Sequence, residues 1–164
     1  MNIFVLDRDP VKAAQFLKLG HLVKMPLESA QMLCTACHKL GVPAQYKSAY
    51  PNHPCTVWVQ KSTANFHWLV AHSLEICRMY TSFYGKRHKS QDVIEECANS
   101  VKLIESDRLT PFAQAMPDEY KNVDSVAAYR RYYLIEKHNI APVGYARFVP
   151  FFNMVKEYEL QNNI

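Results

Sequence analysis

His21-Leu-Val-Lys24-Met-Pro26-Leu-Glu28-Ser-Ala-Gln31-Met-Leu-Cys34-Thr35 is the stretch on which the reading of the fold turns. At about 100° per residue, His21, Lys24, Glu28, Gln31 and Thr35 share one helix face, within an arc of about 80°. Leu22, Val23, Leu27, Ala30, Leu33, Cys34, Cys37 and Leu40 fill the rest of the cylinder, and Met25 and Met32 border the polar file. A solvated surface helix has the opposite proportions. The pattern predicts a mostly buried central helix carrying groups that are costly to bury without partners. Two arrangements satisfy such groups: a network among themselves, or a cleft that they line. Pro26 predicts a kink, since it removes one helical hydrogen bond and frees the Leu22 carbonyl. The alternative makes Pro26 the first residue of a new helix. The apolar pattern runs through it and favours the kink.

Working outward, residues 1–6 read as a short apolar strand or extended arm. Asp9 and Pro10 then supply the N-cap and first position of a helix running to about residue 18, with Gly20 breaking the chain before the central helix. Gly41 and Pro43 end that helix near residue 40. Residues 44–56 read as an irregular loop containing Tyr50-Pro-Asn-His53-Pro54. A long helix is predicted over 62–84, where Phe66, Leu69, Val70, Leu74, Cys77, Tyr80 and Tyr84 recur at helical spacing and Gly85 stops the run. A second amphipathic helix covers 90–104 through Val93, Ile94, Cys97, Val101 and Ile104. Pro111 and Pro117 bracket a turn-rich connection. A final helix covers 124–138, with Val126, Tyr129, Tyr132, Tyr133 and Ile135 on its apolar side. Pro142 and Pro150 frame an aromatic tail with Phe148, Phe151, Phe152 and Tyr158. His67, His72 and His138 are expected to face solvent from helices. With no repeat and no linker, the expectation is one mainly α domain over residues 1–164: compact, with a short extended N-terminal arm and a kinked central helix.

Composition narrows the class. The chain has 164 residues, of which 49% are hydrophobic, enough for a sizeable core and too many for a disordered chain. Its net charge of +4 permits a polyanionic partner without requiring one. No apolar run reaches membrane-spanning length, and the N-terminus lacks a secretory pattern. Five cysteines, an odd number, then fit free thiols in a reducing cytoplasm.

Two cysteine patterns carry possible chemistry. Cys34-Thr-Ala-Cys37-His38 matches the haem attachment spacing, but it falls inside a continuous helix and has no export signal before it. Cys34, Cys37, His53 and Cys55 could together supply four zinc ligands, although their spacing matches no standard site. The expectation is no metal and no cofactor, with Cys34 and Cys37 in the core. Lys86, Arg87, His88 and Lys89, with Lys61, Arg130 and Arg131, form either a phosphate-binding patch or a solvated helix end where the dipole favours cations.

The order of these elements resembles the phage pyrimidine-dimer DNA glycosylase/AP-lyases of the endonuclease V type. The resemblance rests on the apolar arm, on the seven-residue step from His21 to Glu28, and on the passage from Asn52-His53-Pro54 to Phe66-His-Trp68-Leu69. Pro117-Asp-Glu-Tyr120-Lys121 before Asp124 and the aromatic tail add to it. The chain is also similar to a phage and bacterial branch opening Met-Asn-Ile-Phe-x-Leu-Asp, in which Asp-Lys stands where this sequence has Leu19-Gly20. The resemblance implies chemistry by the N-terminal amine. An α-amino group has a pKa near 8, so part of it is neutral and nucleophilic at physiological pH. In the family it attacks the sugar C1′, expels the base and leaves an imine, from which β-elimination cuts the strand. A nearby glutamate stabilises the developing charge and moves protons.

Carried onto this chain, the resemblance makes Met1 and Glu28 catalytic, and His21 is counted with them as a candidate catalytic residue. Lys24, Gln31, His53, Lys86, Arg87, Lys89 and Arg130 become candidate substrate-binding residues. Leu27 and Gln31 flank Glu28 where the excision enzymes place arginines. The expected partner is DNA or a pyrimidine nucleotide, with no membrane; the oligomeric state is left open. The alternative is an inactive module that keeps the cleft and binds a nucleic acid, a nucleotide or a host protein. A third possibility is a zinc-stapled helical interaction protein.

Overall fold

The Asp9 carboxylate accepts hydrogen bonds from the Val11 and Lys12 N–H groups, both at 2.9 Å, and Pro10 takes the first helical position of α1, Pro10–Gln15. The computed structural model describes residues 1–101 and 107–137. α1 ends sooner than the sequence suggests, because Lys18 is extended (φ −69°, ψ 158°) and introduces α2, Leu19–Lys39. Gly20 therefore sits in the first turn of α2 instead of breaking the chain before it. α2 continues through Pro26, which excludes a new helix starting there. Pro26 still withholds one N–H from the ladder.

The loop expected over 44–56 is shorter, because α3, Pro54–Val59, begins inside it. His53 caps α3 by accepting the Cys55 N–H on Nδ1 at 3.2 Å. α4, Thr63–Tyr84, follows the prediction closely: the Ser62 hydroxyl accepts the Asn65 N–H at 3.0 Å, and Gly85 closes the helix at φ 68°. α5 is Gln91–Ser100, and Val101 after it is extended. Ile104 lies outside the described residues. A 3-10 turn, Asp118–Tyr120, leads to α6, Ser125–Tyr132, capped by Asp124 and continued by a π-helical segment, Tyr133–Lys137. Among the described residues the fold is mainly α and contains no strand.

α2 packs against α3, α4 and α5, while α4 also carries α1. The core gathers Leu22, Met25, Met32 and Leu33 from α2 with Trp58, Phe66, Leu69, Ile94, Tyr129 and Tyr133. The first residues form an extended arm, not a strand, and Ile3, Phe4, Val5 and Leu6 are all buried in this core. Burial of side chains this size contributes roughly 1.5–3 kcal/mol each. The arm is thereby fixed along α2.

Three expectations fail in detail. His72 does not face solvent: it is completely buried, stacked on Trp68 at 5.0 Å. Ile135 is 46% exposed and Leu134 is buried in its place, because the wider π turn shifts the register. Val23 and Leu27, assigned to the apolar side of α2, are 48% and 44% exposed. His67 is exposed as expected, whereas His138 and the tail residues Phe148, Phe151, Phe152 and Tyr158 lie outside the described residues. No described helix is long and apolar enough to cross a membrane.

Candidate active site

The buried arm brings the start of the chain to the polar file of α2. Asn2 does most of the fixing. Its backbone N–H donates to Glu28 Oε2 at 3.1 Å, and its amide nitrogen donates to the Ala115 carbonyl at 2.8 Å. Its side-chain oxygen accepts the N–H groups of Ile3 at 2.8 Å and Phe4 at 3.3 Å. A buried polar side chain with every group engaged holds one position. The Met1 sulfur adds a contact to the Thr56 hydroxyl at 3.5 Å.

This seating places the Met1 α-amine 3.7 Å from Glu28 Oε2, with the Glu28 side chain only 11% exposed. The other carboxylate oxygen, Oε1, pairs with Lys24 Nζ at 3.1 Å, one helical turn back. Lys24 itself is 65% exposed, so the cluster opens to solvent on that side. One carboxylate thus faces two amines and a backbone N–H. Such a group can accept or return a proton at the amine and can balance positive charge developing nearby.

His53 stands next to this cluster. Burial, then the positive field of the chain's α-amine, lowers its pKa from the usual value, and Glu28 opposes both. Since Nδ1 accepts the Cys55 N–H, Nε2 carries the ring proton in the neutral form and is left as a donor. Gln31 is half-buried, and its carbonyl accepts the Thr35 hydroxyl at 2.7 Å.

His21 turns elsewhere. Its ring stacks on Phe4 at 4.8 Å, with planes 11° apart, and Nδ1 meets the Tyr133 hydroxyl at 2.7 Å. That hydroxyl also accepts the Lys18 N–H at 2.9 Å. Burial, with Lys18, Lys24 and Lys137 nearby, pushes the His21 pKa down to about 3, so the ring is neutral. Phe4 holds φ at 53°, a strained conformation for a side chain of this kind, and the stack clamps it from one side.

The candidate phosphate contacts divide. Arg87 is pinned to Asp92 and Glu95, both at 2.7 Å, and Arg130 donates to the Leu6 carbonyl at 2.7 Å and to Asp7 at 3.2 Å. His88 is buried, accepting the Ser90 N–H on Nδ1 and donating from Nε2 to the Val23 carbonyl at 3.0 Å. Lys86 and Lys89 are exposed.

The cysteines pack inside. Cys34 Sγ lies 3.6 Å from Cys97 Sγ across α2 and α5, and that contact lowers the Cys34 pKa from its ordinary value. Cys55 is buried beneath Asn2, with its pKa pushed up to about 11, chiefly by burial. All five cysteines are free and buried. Among the described residues no three His, Cys, Asp or Glu side chains are arranged to hold a metal ion.

Sequence reasoning assigned no site role to Asn2, Phe4, Lys18 or Tyr133, although Asn2 and Phe4 lie in the Met-Asn-Ile-Phe opening. The capping role of His53 did have a signal, since Pro54 follows it at a first helical position.

Among known families, the model described as Pyrimidine dimer DNA glycosylase matches residues 1–91. That span holds Met1, His21, Lys24, Glu28 and His53. No curated protein and no solved structure matches the chain.

Proposed function

Because the chain belongs to the pyrimidine dimer DNA glycosylase family, we propose that it acts at the glycosidic bond of a pyrimidine nucleotide in DNA, with Met1 as nucleophile and Glu28 as proton carrier. The observation that carries this reading is the 3.7 Å approach of a shielded α-amine to a buried carboxylate. The amine passes a proton to Glu28 and attacks the sugar C1′; the base leaves with the bonding electron pair. Once the nitrogen has given its next proton to the departing base, its lone pair breaks the C1′–O4′ bond while Glu28 returns its proton to O4′. The ring-opened sugar is then held as an iminium between the Met1 nitrogen and C1′. Abstraction of a C2′ proton then expels the 3′ phosphate, and water releases the amine.

The surrounding residues take roles that follow from their placement. Lys24 holds Glu28 from the solvent side and reaches towards a phosphate. His53 offers its Nε2 proton to the base or the sugar. Gln31 contacts the strand further along α2. His21 acts through Phe4, keeping the arm seated and the amine in place. Lys86 and Lys89 supply phosphate contacts, while Arg87 and Arg130 are held in intramolecular pairs and contribute less.

A second reading is an inactive module that binds nucleic acid in the same cleft. It is favoured by Leu27, which is exposed beside Glu28 where the resemblance leads one to expect an arginine. Strand-cleavage assays on ultraviolet-irradiated and abasic duplexes separate the two. Cleavage of either, lost in Glu28→Gln, supports the enzyme; tight binding with no cleavage supports the module.

A further inference from the structure

Tyr50 is 71% exposed and holds φ at 48°, in the left-handed region that residues other than glycine avoid. Such a conformation persists where its surroundings fix it, and it clusters at functional sites. The fixing is visible on both sides. Ala49 donates its N–H to Thr35 Oγ1 at 2.9 Å, and that hydroxyl lies 3.3 Å from the Ala49 carbonyl. The Tyr50 carbonyl accepts the His53 N–H at 3.0 Å, with rigid Pro51 between them. The backbone is therefore held while the ring is left in solvent. Among the described residues no ring packs on it, although Phe4, Tyr129, Tyr132 and Tyr133 cluster with one another.

The position of the ring gives it a use. Thr35 belongs to the same polar file as Glu28 and lies two turns beyond it, about 10 Å along the axis. At the other end of the loop, His53 sits in the field of the Met1 amine. Residues 49–53 therefore join Thr35 of the polar file to His53 beside the amine, with Tyr50 exposed on that span. Attack on a sugar carbon requires the base to leave the stack, which opens an apolar gap in the strand. A rigidly mounted, solvated tyrosine fills such a gap at low entropic cost.

Resting on the DNA-acting reading above, we propose that Tyr50 is the base-stacking residue of this site, inserting beside the unstacked nucleotide. Its ligand is the exposed face of a nucleobase next to a gap in a DNA strand.

The test uses a duplex with a tetrahydrofuran abasic analogue and 2-aminopurine beside it. This probe has no aldehyde, so no imine forms and the readout is independent of catalysis. The unaltered protein should change the 2-aminopurine fluorescence on binding, and Tyr50→Phe and Tyr50→Trp should keep that change. Tyr50→Asn removes the ring yet tolerates the left-handed backbone; it should abolish the change and weaken binding by about tenfold to a hundredfold. The bound duplex should also shield Tyr50 of the unaltered protein from nitration by tetranitromethane. Equal binding and fluorescence in Tyr50→Asn, undiminished nitration, or no binding by the unaltered protein would each overturn the proposal. Ring-dependent binding without any covalent adduct on a true abasic strand would refute the reaction and leave the stacking role standing.

Discussion

The Met1 α-amine stands 3.7 Å from Glu28 Oε2, and the same oxygen accepts the Asn2 N–H at 3.1 Å. The carboxylate thus both docks the arm and addresses the amine. Glu28→Gln separates these two tasks, because an amide oxygen still accepts the Asn2 N–H but carries no charge. The variant should fold, retain binding to an abasic strand and lose about a hundredfold or more in turnover. Binding lost in proportion to turnover would assign Glu28 to strand recognition instead.

DNA binding should depend on salt through Lys86 and Lys89 more than through Arg87. Each phosphate contact contributes about 0.9 to the slope of log K against log salt. Lys86→Ala with Lys89→Ala should therefore flatten that slope by about two. Arg87→Ala should change it little, since Asp92 and Glu95 already neutralise the guanidinium. The opposite ranking would show that DNA displaces those carboxylates.

Acid should destabilise the fold before the carboxylates titrate. Burial pushes the His72 pKa down to about 3, and neither ring nitrogen has a hydrogen-bond partner. The unfolded chain binds a proton near pH 6.5 that the folded chain refuses. The contribution is therefore complete above pH 6.5 and is lost as pH falls towards 3. By pH 5 the loss from His72 is about 2 kcal/mol. His21 acts in the same direction. Urea unfolding at pH 7.5 and pH 5 should show this loss, and His72→Phe should shrink it. An unchanged pH slope in His72→Phe would mean that the ring is hydrated in solution.

Elemental analysis of protein purified without chelator should find zinc well below one atom per chain, because Cys34 faces Cys97 and Cys55 lies beneath Asn2. Stoichiometric zinc that disappears in Cys34→Ala would contradict this.

The helices were legible because their signals are local. Asp9-Pro10, Ser62, Gly85 and Asp124 each stop or start a helix through their own backbone chemistry. The polar file of α2 was legible for the same reason, and it does pair Lys24 with Glu28. The partner of that file was not. Asn2 reaches Ala115 across 113 residues, and Tyr133 reaches His21 across 112. Periodicity carries no information about such contacts. Val23 and Leu27 were misplaced because an apolar side chain is not obliged to be buried, and the surface beside Glu28 stays open. The π segment misled the reading of Ile135 because a fixed 3.6-residue period was assumed through it.

The most direct test of the central claim is borohydride trapping on an abasic strand, whose open-chain aldehyde needs no base recognition. The unaltered protein should yield a covalent protein–DNA adduct, and peptide mapping should place the reduced link on the Met1 nitrogen. One residue added before Met1 should abolish the adduct, since displacing a nucleophile by an ångström or more costs large factors in rate. An equal adduct from the extended chain, mapped to Lys24, would contradict the role of the α-amine.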